Sequence, residues 1–253
     1  SAGDVNGDGY ADVVVGAYRV ASITGKVYVY HGSASGLSTT PDWSAVGEAT
    51  SDYFGYSVAS AGDVNGDGYA DVVVGAYRND GDGAGSSAGK VYVYYGSSSG
   101  LSTTLDWNAT SEAANDYFGF SVASAGDVNG DGYADVIVSA YQNDDATTNA
   151  GKVYVYHGSA SGLSTTLDWN ATGEASSDSF GRSVASAGDV NGDGYADVVV
   201  GAYGNDGAGS NAGEAYVYHG SASGLSATPD WSATGEAASD FFGVSVASAG
   251  DVN

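Results

Sequence analysis

One acidic nonapeptide recurs along the chain and constrains its fold more than any other feature. The sequence Asp-Val-Asn-Gly-Asp-Gly-Tyr-Ala-Asp is complete four times, starting at Asp4, Asp63, Asp127 and Asp189, and begins again at Asp251. Successive copies are roughly sixty residues apart. Because most residues between the copies recur too, the chain is predicted to be a tandem array of one supersecondary unit.

Each unit contains four short segments with the composition of β-strands. In the second unit, residues 57–61 lead into the acidic loop and residues 71–77 leave it. Residues 90–95 alternate valine and tyrosine, and residues 100–107 form a fourth segment that ends in tryptophan. No window shows a sustained helical period. The pattern predicts an all-β fold.

Four strands in a unit of this length, joined by glycine-rich turns, are typical of a β-propeller with four-stranded antiparallel blades. Residues 1–253 are therefore predicted to form one propeller domain or half of one, with a fifth copy starting at residues 248–253. The predicted units are residues 1–59, 60–123, 124–185 and 186–247. The alternative is a β-solenoid, but its coils are usually only about 20 to 30 residues long.

The charge balance limits the partners that the chain can bind. Its 253 residues include 31 Asp and Glu but only 6 Lys and Arg, a formal net charge of −25. Such a surface repels nucleic acids and anionic membranes, whereas it attracts cations. There is no apolar run long enough for membrane insertion, no cysteine and no signal segment before the first unit, so a mature protein or an excised fragment is expected.

The nonapeptide has the ligand spacing of a calcium loop. Positions 1, 3, 5 and 9 carry carboxylate or amide oxygens, glycines at positions 4 and 6 permit a tight turn, and position 7 can add its carbonyl oxygen. These six or seven hard oxygens suit calcium better than magnesium. Without a cation the three carboxylates would repel one another, so metal binding and loop order are expected to be coupled.

We therefore predict about four structural calcium ions, one in each complete loop. The alternative is that the loops are only Asn-Gly and Asp-Gly turns on a solvated edge, but four copies that keep every oxygen-bearing position favour calcium. The predicted ligands are Asp4, Asn6, Asp8, Tyr10 and Asp12; Asp63, Asn65, Asp67, Tyr69 and Asp71; Asp127, Asn129, Asp131, Tyr133 and Asp135; and Asp189, Asn191, Asp193, Tyr195 and Asp197.

Short motifs flank each loop. In the second unit Phe54-Gly55 precedes the first strand and Gly75-Ala76-Tyr77 follows the second, and Phe-Gly recurs at residues 118–119, 180–181 and 242–243. With the loop between them, these motifs resemble the FG-GAP repeat of integrin alpha-subunit propellers. The resemblance implies a propeller with calcium loops on its lower face and ligand or partner-subunit binding on the opposite face.

The chain also departs from the integrin pattern. Integrin-type domains usually have seven blades, whereas this chain has four units and a calcium loop in each. Ser139 replaces the glycine of the second motif in the third unit. The near-identity of the units is more similar to bacterial tandem repeat proteins than to an animal receptor.

The two ends suggest how the array could close. Residues 248–253 repeat residues 1–6, and the first-strand pattern within residues 242–253 has no counterpart at the N-terminus. The C-terminal strand is therefore a candidate to complete the first blade. Three arrangements are open at this point: a closed four-blade ring, two chains forming an eight-blade ring, and a segment of a longer array. Open sheet edges are liable to pair with another chain.

Other repeated residues give weaker signals. His31, His157 and His219 share one place in the unit, which indicates a structural role. No group unique to one unit supplies a nucleophile, a base and oxyanion donors, so no enzymatic activity is expected. The tryptophans that end the fourth segment are predicted either to pack between blades or to form a ring of sugar-binding platforms. They are Trp43, Trp107, Trp169 and Trp231.

The sequence therefore predicts a non-catalytic, calcium-stabilised propeller for adhesion, recognition or surface assembly. An extracellular or cell-surface location is expected, because extracellular calcium sites work at roughly 10⁻⁴ to 10⁻³ M. A multivalent carbohydrate-binding propeller and a structural subunit of a fibre or surface layer are the alternatives. The expected partner is a protein or glycan on the variable loops at residues 79–88 and 143–150, or a second copy that completes the propeller.

Overall fold

Four small antiparallel sheets in series make up the computed structural model, which describes residues 1–250. The first sheet contains β1 (Val13–Ala17), β2 (Lys26–Tyr30) and β3 (Trp43–Val46). The second contains β4 (Ser57–Gly62), β5 (Asp71–Ala76), β6 (Lys90–Tyr94) and β7 (Trp107–Thr110). The third contains β8 (Phe118–Gly126), β9 (Asp135–Ala140), β10 (Lys152–Tyr156) and β11 (Trp169–Thr172). The fourth contains β12 (Phe180–Gly188), β13 (Asp197–Ala202), β14 (Glu214–Tyr218) and β15 (Trp231–Thr234).

Each sheet is a meander in which strands pair with their neighbours in sequence. The helical segments in the described residues are a single turn, α1 (Val20–Ile23), and a short 3₁₀ turn (Gly81–Gly83). The prediction of an all-β fold with antiparallel four-stranded sheets is confirmed for the second, third and fourth units. The first sheet has three strands, consistent with the lack of a first-strand pattern at the N-terminus. The strand that leads into the acidic loop, which we call the inner strand, is represented there by residues 1–3 with one isolated bridge, between Gly3 and Asp12.

The alternation of valine and tyrosine in the third strand of each unit determines how the sheets stack. In β6, Val91 and Val93 join a core cluster with the third unit, whereas Tyr92 and Tyr94 join a cluster with the first. Successive side chains of a strand point to opposite faces. The strands β6 and β10, which have a neighbouring unit on both sides, therefore present valines to the following unit and tyrosines to the preceding one.

The tryptophans lie at these junctions between units. Trp43, Trp107 and Trp169 each donate a hydrogen bond from Nε1 to a serine carbonyl of the following unit, over 2.9 to 3.0 Å. Trp43 and Trp107 are buried. Packing between blades is thus the role of these three side chains, and they offer no ring of exposed sugar platforms.

The C-terminal segment does not close the first sheet in this structure. Residues 242–250 lie against the fourth sheet, where Phe242 forms a parallel bridge with Gly213 and Ser248 Oγ donates to the carbonyl of Ala187. Phe54 and Phe118 form the same bridge with the unit before them. Residues 242–250 therefore occupy the place where a fifth unit would begin. Residues 251–253 lie outside the described part of the chain.

At the second glycine motif, the second strand of one unit lies close to the inner strand of the next. A Cβ atom added at Gly75 would overlap the carbonyl oxygen of Gly119 in the third unit. In the third unit this position is Ser139, which is buried and accepts a hydrogen bond from the Ser121 backbone N–H at 3.0 Å. The same residue type is thus accommodated at one junction and excluded at another.

We expect Gly75→Ser to lower the free energy of unfolding by about 1 to 3 kcal/mol, because the added atoms have no space beside a neighbouring backbone. The reverse change, Ser139→Gly, removes one hydrogen bond and should cost about 1 kcal/mol. Urea denaturation followed by tryptophan fluorescence measures both. A smaller loss of unfolding free energy for Gly75→Ser than for Ser139→Gly would show that the neighbouring backbone moves to admit the added side chain.

Acidic loops and the opposite face

The acidic loops connect the inner strand of each unit to the next strand, as residues 63–70 connect β4 to β5. At position 1, Asp63 Oδ1 accepts hydrogen bonds from the backbone N–H groups of Gly66 and Asp67 at 2.7 and 3.1 Å. Its Oδ2 accepts the N–H of Gly68 at 2.9 Å. The turn therefore wraps around this carboxylate. At the equivalent Asp189, the bonds from the N–H groups of the turn, that of Gly194 above all, lower the pKa.

Positions 3 and 5 lie within the same turn. Asn65 Oδ1 accepts the N–H of Asp67, Asn65 Nδ2 donates to Asp67 Oδ2, and both distances are 3.0 Å. Asp67 Oδ1 accepts the N–H of Tyr69, at position 7. The first, third and fourth loops repeat this pattern, so the predicted side chains of positions 1, 3 and 5 are brought together four times.

Position 9 is the buried anchor of the loop. Asp71 is inaccessible to solvent, its Oδ2 accepts the N–H of Val64 at 2.9 Å, and its Oδ1 accepts the N–H of Gly96 at 2.8 Å. Gly96 follows β6, so the carboxylate ties the loop to the third strand. Burial raises the pKa of Asp71 to about 7, against the opposing effect of these two hydrogen bonds. Asp12, Asp135 and Asp197 are anchored in the same way.

The donor set fits a hard cation. A carboxylate offers about four lone pairs, and each Asp71 oxygen accepts one backbone hydrogen bond, so lone pairs remain at position 9 as well as at positions 1, 3 and 5. Within residues 1–250, however, no three or more His, Asp or Glu side chains converge into a ready-made metal centre. A cation would have to replace the hydrogen bond between Asn65 Nδ2 and Asp67.

The structure separates the roles of position 5 and position 9. We expect Asp71→Ala to lower the free energy of unfolding by about 3 kcal/mol or more in chelator, because it leaves two buried N–H groups without an acceptor. Asp67→Ala, on the exposed side of the same loop, should cost about 1 kcal/mol or less. Chemical denaturation in chelator measures both, and equal losses would contradict the anchoring role of position 9.

A row of aromatic and arginine side chains lies at the opposite end of the sheets. Tyr56 precedes β4 and Tyr77 follows β5, whereas the acidic loop lies at the other end of both strands. We call this surface the aromatic–arginine row. Its members are Tyr18, Tyr53, Tyr56, Tyr77, Arg78, Tyr117, Phe120, Tyr141, Arg182 and Tyr203.

The rings of this row are in contact from one unit to the next. The ring centroids of Tyr56 and Phe120 are 4.9 Å apart, and those of Phe120 and Tyr141 are 4.3 Å apart. The Arg182 guanidinium lies 4.4 Å from the centroid of Phe120, a cation–π contact. Burial raises the pKa of Tyr141 to about 12, so its hydroxyl is protonated at neutral pH. Sequence reasoning missed this surface, although the recurring tyrosine of the Gly-Ala-Tyr motif marks it.

The variable loops border the row and are held by ion pairs. Lys90 is buried, and its Nζ lies 3.1 Å from Glu48 Oε1 of the preceding unit and 3.0 Å from Asp82 Oδ2 of its own loop. Burial lowers the pKa of Lys90, but the hydrogen bonds to Asp82 and Glu48 outweigh it and raise the pKa overall. The third unit repeats this triad around Lys152, whereas Glu214 takes the lysine position in the fourth.

Glu48 and Asp82, the two partners of Lys90, line a polar cavity of about 560 Å³ together with Arg78. The three equivalent histidines make one repeated backbone contact, which Tyr95 makes in the second unit. The backbone N–H groups of His31, His157 and His219 each donate to an aspartate of the same unit at 2.8 Å.

None of the helices within residues 1–250 is both long and apolar enough to cross a membrane.

Comparison with known proteins agrees with the repeat geometry. The profile described as FG-GAP repeat matches residues 118–156 and 180–218, and the one described as FG-GAP-like repeat matches residues 4–74. Together these matches cover more than half of the chain.

Integrin alpha subunits are among the relatives. The chain is 36% identical to integrin alpha-V of Gallus gallus over 212 residues, which is 81% of the chain and 20% of the relative. It is 33% identical to integrin alpha-4 of Xenopus laevis over 205 residues, and 31% identical to integrin alpha-PS2 of Drosophila melanogaster over 218 residues. The chain spans a fifth or less of the length of these relatives. The β-propeller prediction is thereby confirmed, and the chain belongs to the FG-GAP repeat family.

Proposed function

We propose that the four acidic loops bind calcium and that the ions stabilise the fold without taking part in catalysis. The support is a hard-oxygen donor set at positions 1, 3, 5, 7 and 9, folded into the same turn in each unit. In each loop the ion would be held by the aspartates of positions 1, 5 and 9, the asparagine of position 3 and the tyrosine carbonyl of position 7. It would offset the repulsion of three carboxylates and link the turn to the buried anchor.

Calcium is therefore expected to raise the stability of the folded chain. A ligand that binds only the folded state at 100 times its dissociation constant contributes about 2.7 kcal/mol per site. We expect isothermal titration calorimetry to give four sites per chain and thermal melting to shift upward in calcium, with magnesium much weaker. Asp67→Ala should remove one site and leave three. Four sites in that variant, or no melting shift, would contradict the proposal.

We further propose that the chain is a non-catalytic adhesion or recognition module whose contact surface is the aromatic–arginine row. The observation that carries this proposal is the concentration of cations and rings on one surface of an acidic chain. Arg78 and Arg182 are two of only six Lys and Arg residues, and both lie on tyrosine rings of the row. Tyrosine and arginine are enriched among the residues that dominate binding energy at protein interfaces.

The proposed partner is a protein that presents acidic or polar side chains to the two guanidinium groups. A protein that depends on calcium at roughly 10⁻⁴ to 10⁻³ M belongs outside the cell, which is why we propose an extracellular or cell-surface location. A carbohydrate partner stays an alternative at the loop face, although the buried Trp43 and Trp107 cannot serve as platforms. A fibre or surface layer is the second alternative, because near-identical units can each make the same contact.

Cell attachment to surfaces coated with the protein in millimolar calcium tests this function. We expect the double variant Arg78→Glu/Arg182→Glu to lose most of the attachment, because it removes both guanidinium groups of the row. The control replaces four exposed threonines at the opposite end of the sheets, Thr39, Thr40, Thr103 and Thr104, by glutamate, which changes the net charge by the same amount. Equal attachment by the wild type and the Arg78/Arg182 variant would exclude the row as the contact surface.

A further inference from the structure

All three lysines of the chain occupy one position of the repeat, at the start of the third strand. They are Lys26, Lys90 and Lys152, and the fourth unit has Glu214 there. In each of the first three units the lysine Nζ lies over a tyrosine ring, 4.8 to 5.3 Å from the ring centroid. This position therefore brings a positive charge to a ring in three units and a negative charge in the fourth.

The third unit shows what holds an ammonium group at this place. Lys152 Nζ lies 3.3 Å from Glu112 Oε1 of the second unit and 2.6 Å from Asp145 Oδ2 of its own loop. The Tyr154 ring is the third contact, with its centroid 4.9 Å from Nζ. Two carboxylates and one aromatic face thus bind an ammonium group that belongs to the chain itself.

The fourth unit keeps the ring and the carboxylate of the preceding unit. Glu174 and Tyr216 stand where the third unit has Glu112 and Tyr154. Both line a cavity of about 260 Å³ between the third and fourth units. One water molecule takes up about 30 Å³ in the liquid. The cavity therefore has room for a short aliphatic chain with a charged end.

A second carboxylate comes from the lysine position itself. Gly207 takes the place of Asp145, and a Cβ atom added at Gly207 would lie 3.9 Å from Glu214 Oε2. Burial, Glu214 and Glu174 all raise the pKa of Tyr216 above its usual range, so both carboxylates act on this ring. Within residues 1–250 neither of them forms an ion pair. Two carboxylates are thus directed to this junction without the lysine that accompanies them elsewhere.

Tyr218 brings an unused hydrogen-bonding group to the same cavity. This residue is only 4% exposed, and it is part of the cavity lining. The Tyr216 hydroxyl accepts a hydrogen bond from Asn205 Nδ2 at 3.2 Å, whereas the Tyr218 hydroxyl has no such partner among residues 1–250. Buried polar side chains normally have one. The Tyr218 oxygen is therefore available to a donor in the cavity.

We propose that the cavity between the third and fourth units binds the primary ammonium group of an aliphatic amine. An ammonium group has three donors. Glu174 and the Tyr218 hydroxyl accept two of them, the Tyr216 ring offers its face, and Glu214 adds a second negative charge. The ammonium group belongs to a free amine or to a lysine side chain of another protein. The site uses no residue of the acidic loops or of the aromatic–arginine row.

Saturation-transfer NMR with n-butylammonium tests the proposal, because this probe has the chain length and charge of a lysine side chain. We expect binding in millimolar calcium with a dissociation constant in the millimolar range, and no binding of n-butanol, which lacks the charge. Absence of transfer to n-butylammonium, or equal transfer to both probes, would overturn the proposal. Binding only in chelator would assign the site to a metal ion and overturn it as well.

Two variants of the intact chain locate the binding. We expect Glu174→Gln to raise the dissociation constant by about 10-fold or more. Glu214→Lys gives the fourth unit the lysine of the others, so it should abolish n-butylammonium binding and raise the melting temperature by about 2 to 4 °C. Glu236→Lys, at an exposed position of the same unit, changes the net charge equally and should bind like the wild type. Unchanged binding in both site variants would refute the site.

A second probe distinguishes the two sources of the ammonium group. Nα-acetyl-lysine N-methylamide carries the same charged chain on a peptide backbone. Binding of this compound as well as n-butylammonium would support a lysine side chain of a partner protein as the ligand. Binding of n-butylammonium alone would support a free aliphatic amine. In either case the binding must be lost in Glu214→Lys, and binding that persists there would contradict the proposal.

Discussion

No unit of this protein can bury both faces of its own sheet, and the rest of the structure depends on that constraint. A three- or four-stranded sheet has two faces, and each face is covered only by the neighbouring unit. The valines of one third strand and the tyrosines of the next form every junction, so the array has a direction. Stability is then approximately a sum over units and junctions. Leu37 in the first unit and Trp231 in the fourth are exposed, whereas the equivalent Leu101 and Trp107 are buried between units.

The buried aspartate of position 9 connects this packing to the chemistry of the loops. Its carboxylate satisfies two backbone N–H groups, one in the loop and one after the third strand. Burial disfavours the charged form of this carboxylate and raises the pKa of Asp71. A bound calcium would favour that charged form. The same residue therefore serves the fold and, in the proposed function, the metal, so the two properties are coupled.

Features that recur in every unit can be predicted from the sequence. Features that depend on contacts between distant segments cannot. The period, the strands and the turn of the acidic loop follow from local patterns, and all three appear in the structure. The three-stranded first sheet agrees with the lack of a first-strand pattern at the N-terminus. The position of residues 242–250 depends on pairing between segments, which local patterns do not encode. The tryptophans allowed two interpretations, packing between blades and sugar binding, because the burial of an aromatic ring depends on whether a neighbouring unit covers it. Lys90 gave no signal, because its partner Glu48 belongs to the preceding unit.

Differences among the four units fall unevenly on the two ends of the sheets. The four acidic loops are identical, and their aspartates at positions 1 and 9 each accept two or three backbone hydrogen bonds, so replacing either one leaves donors unsatisfied. At the opposite end, side chains mainly contact other side chains, and the position of Tyr56 becomes Phe120 and then Arg182 in later units. Lysine likewise gives way to Glu214 at the variable loops. Sequence differences among the units are thus concentrated where a replacement costs the least stability. That surface is the one on which a repeated scaffold can distinguish a partner.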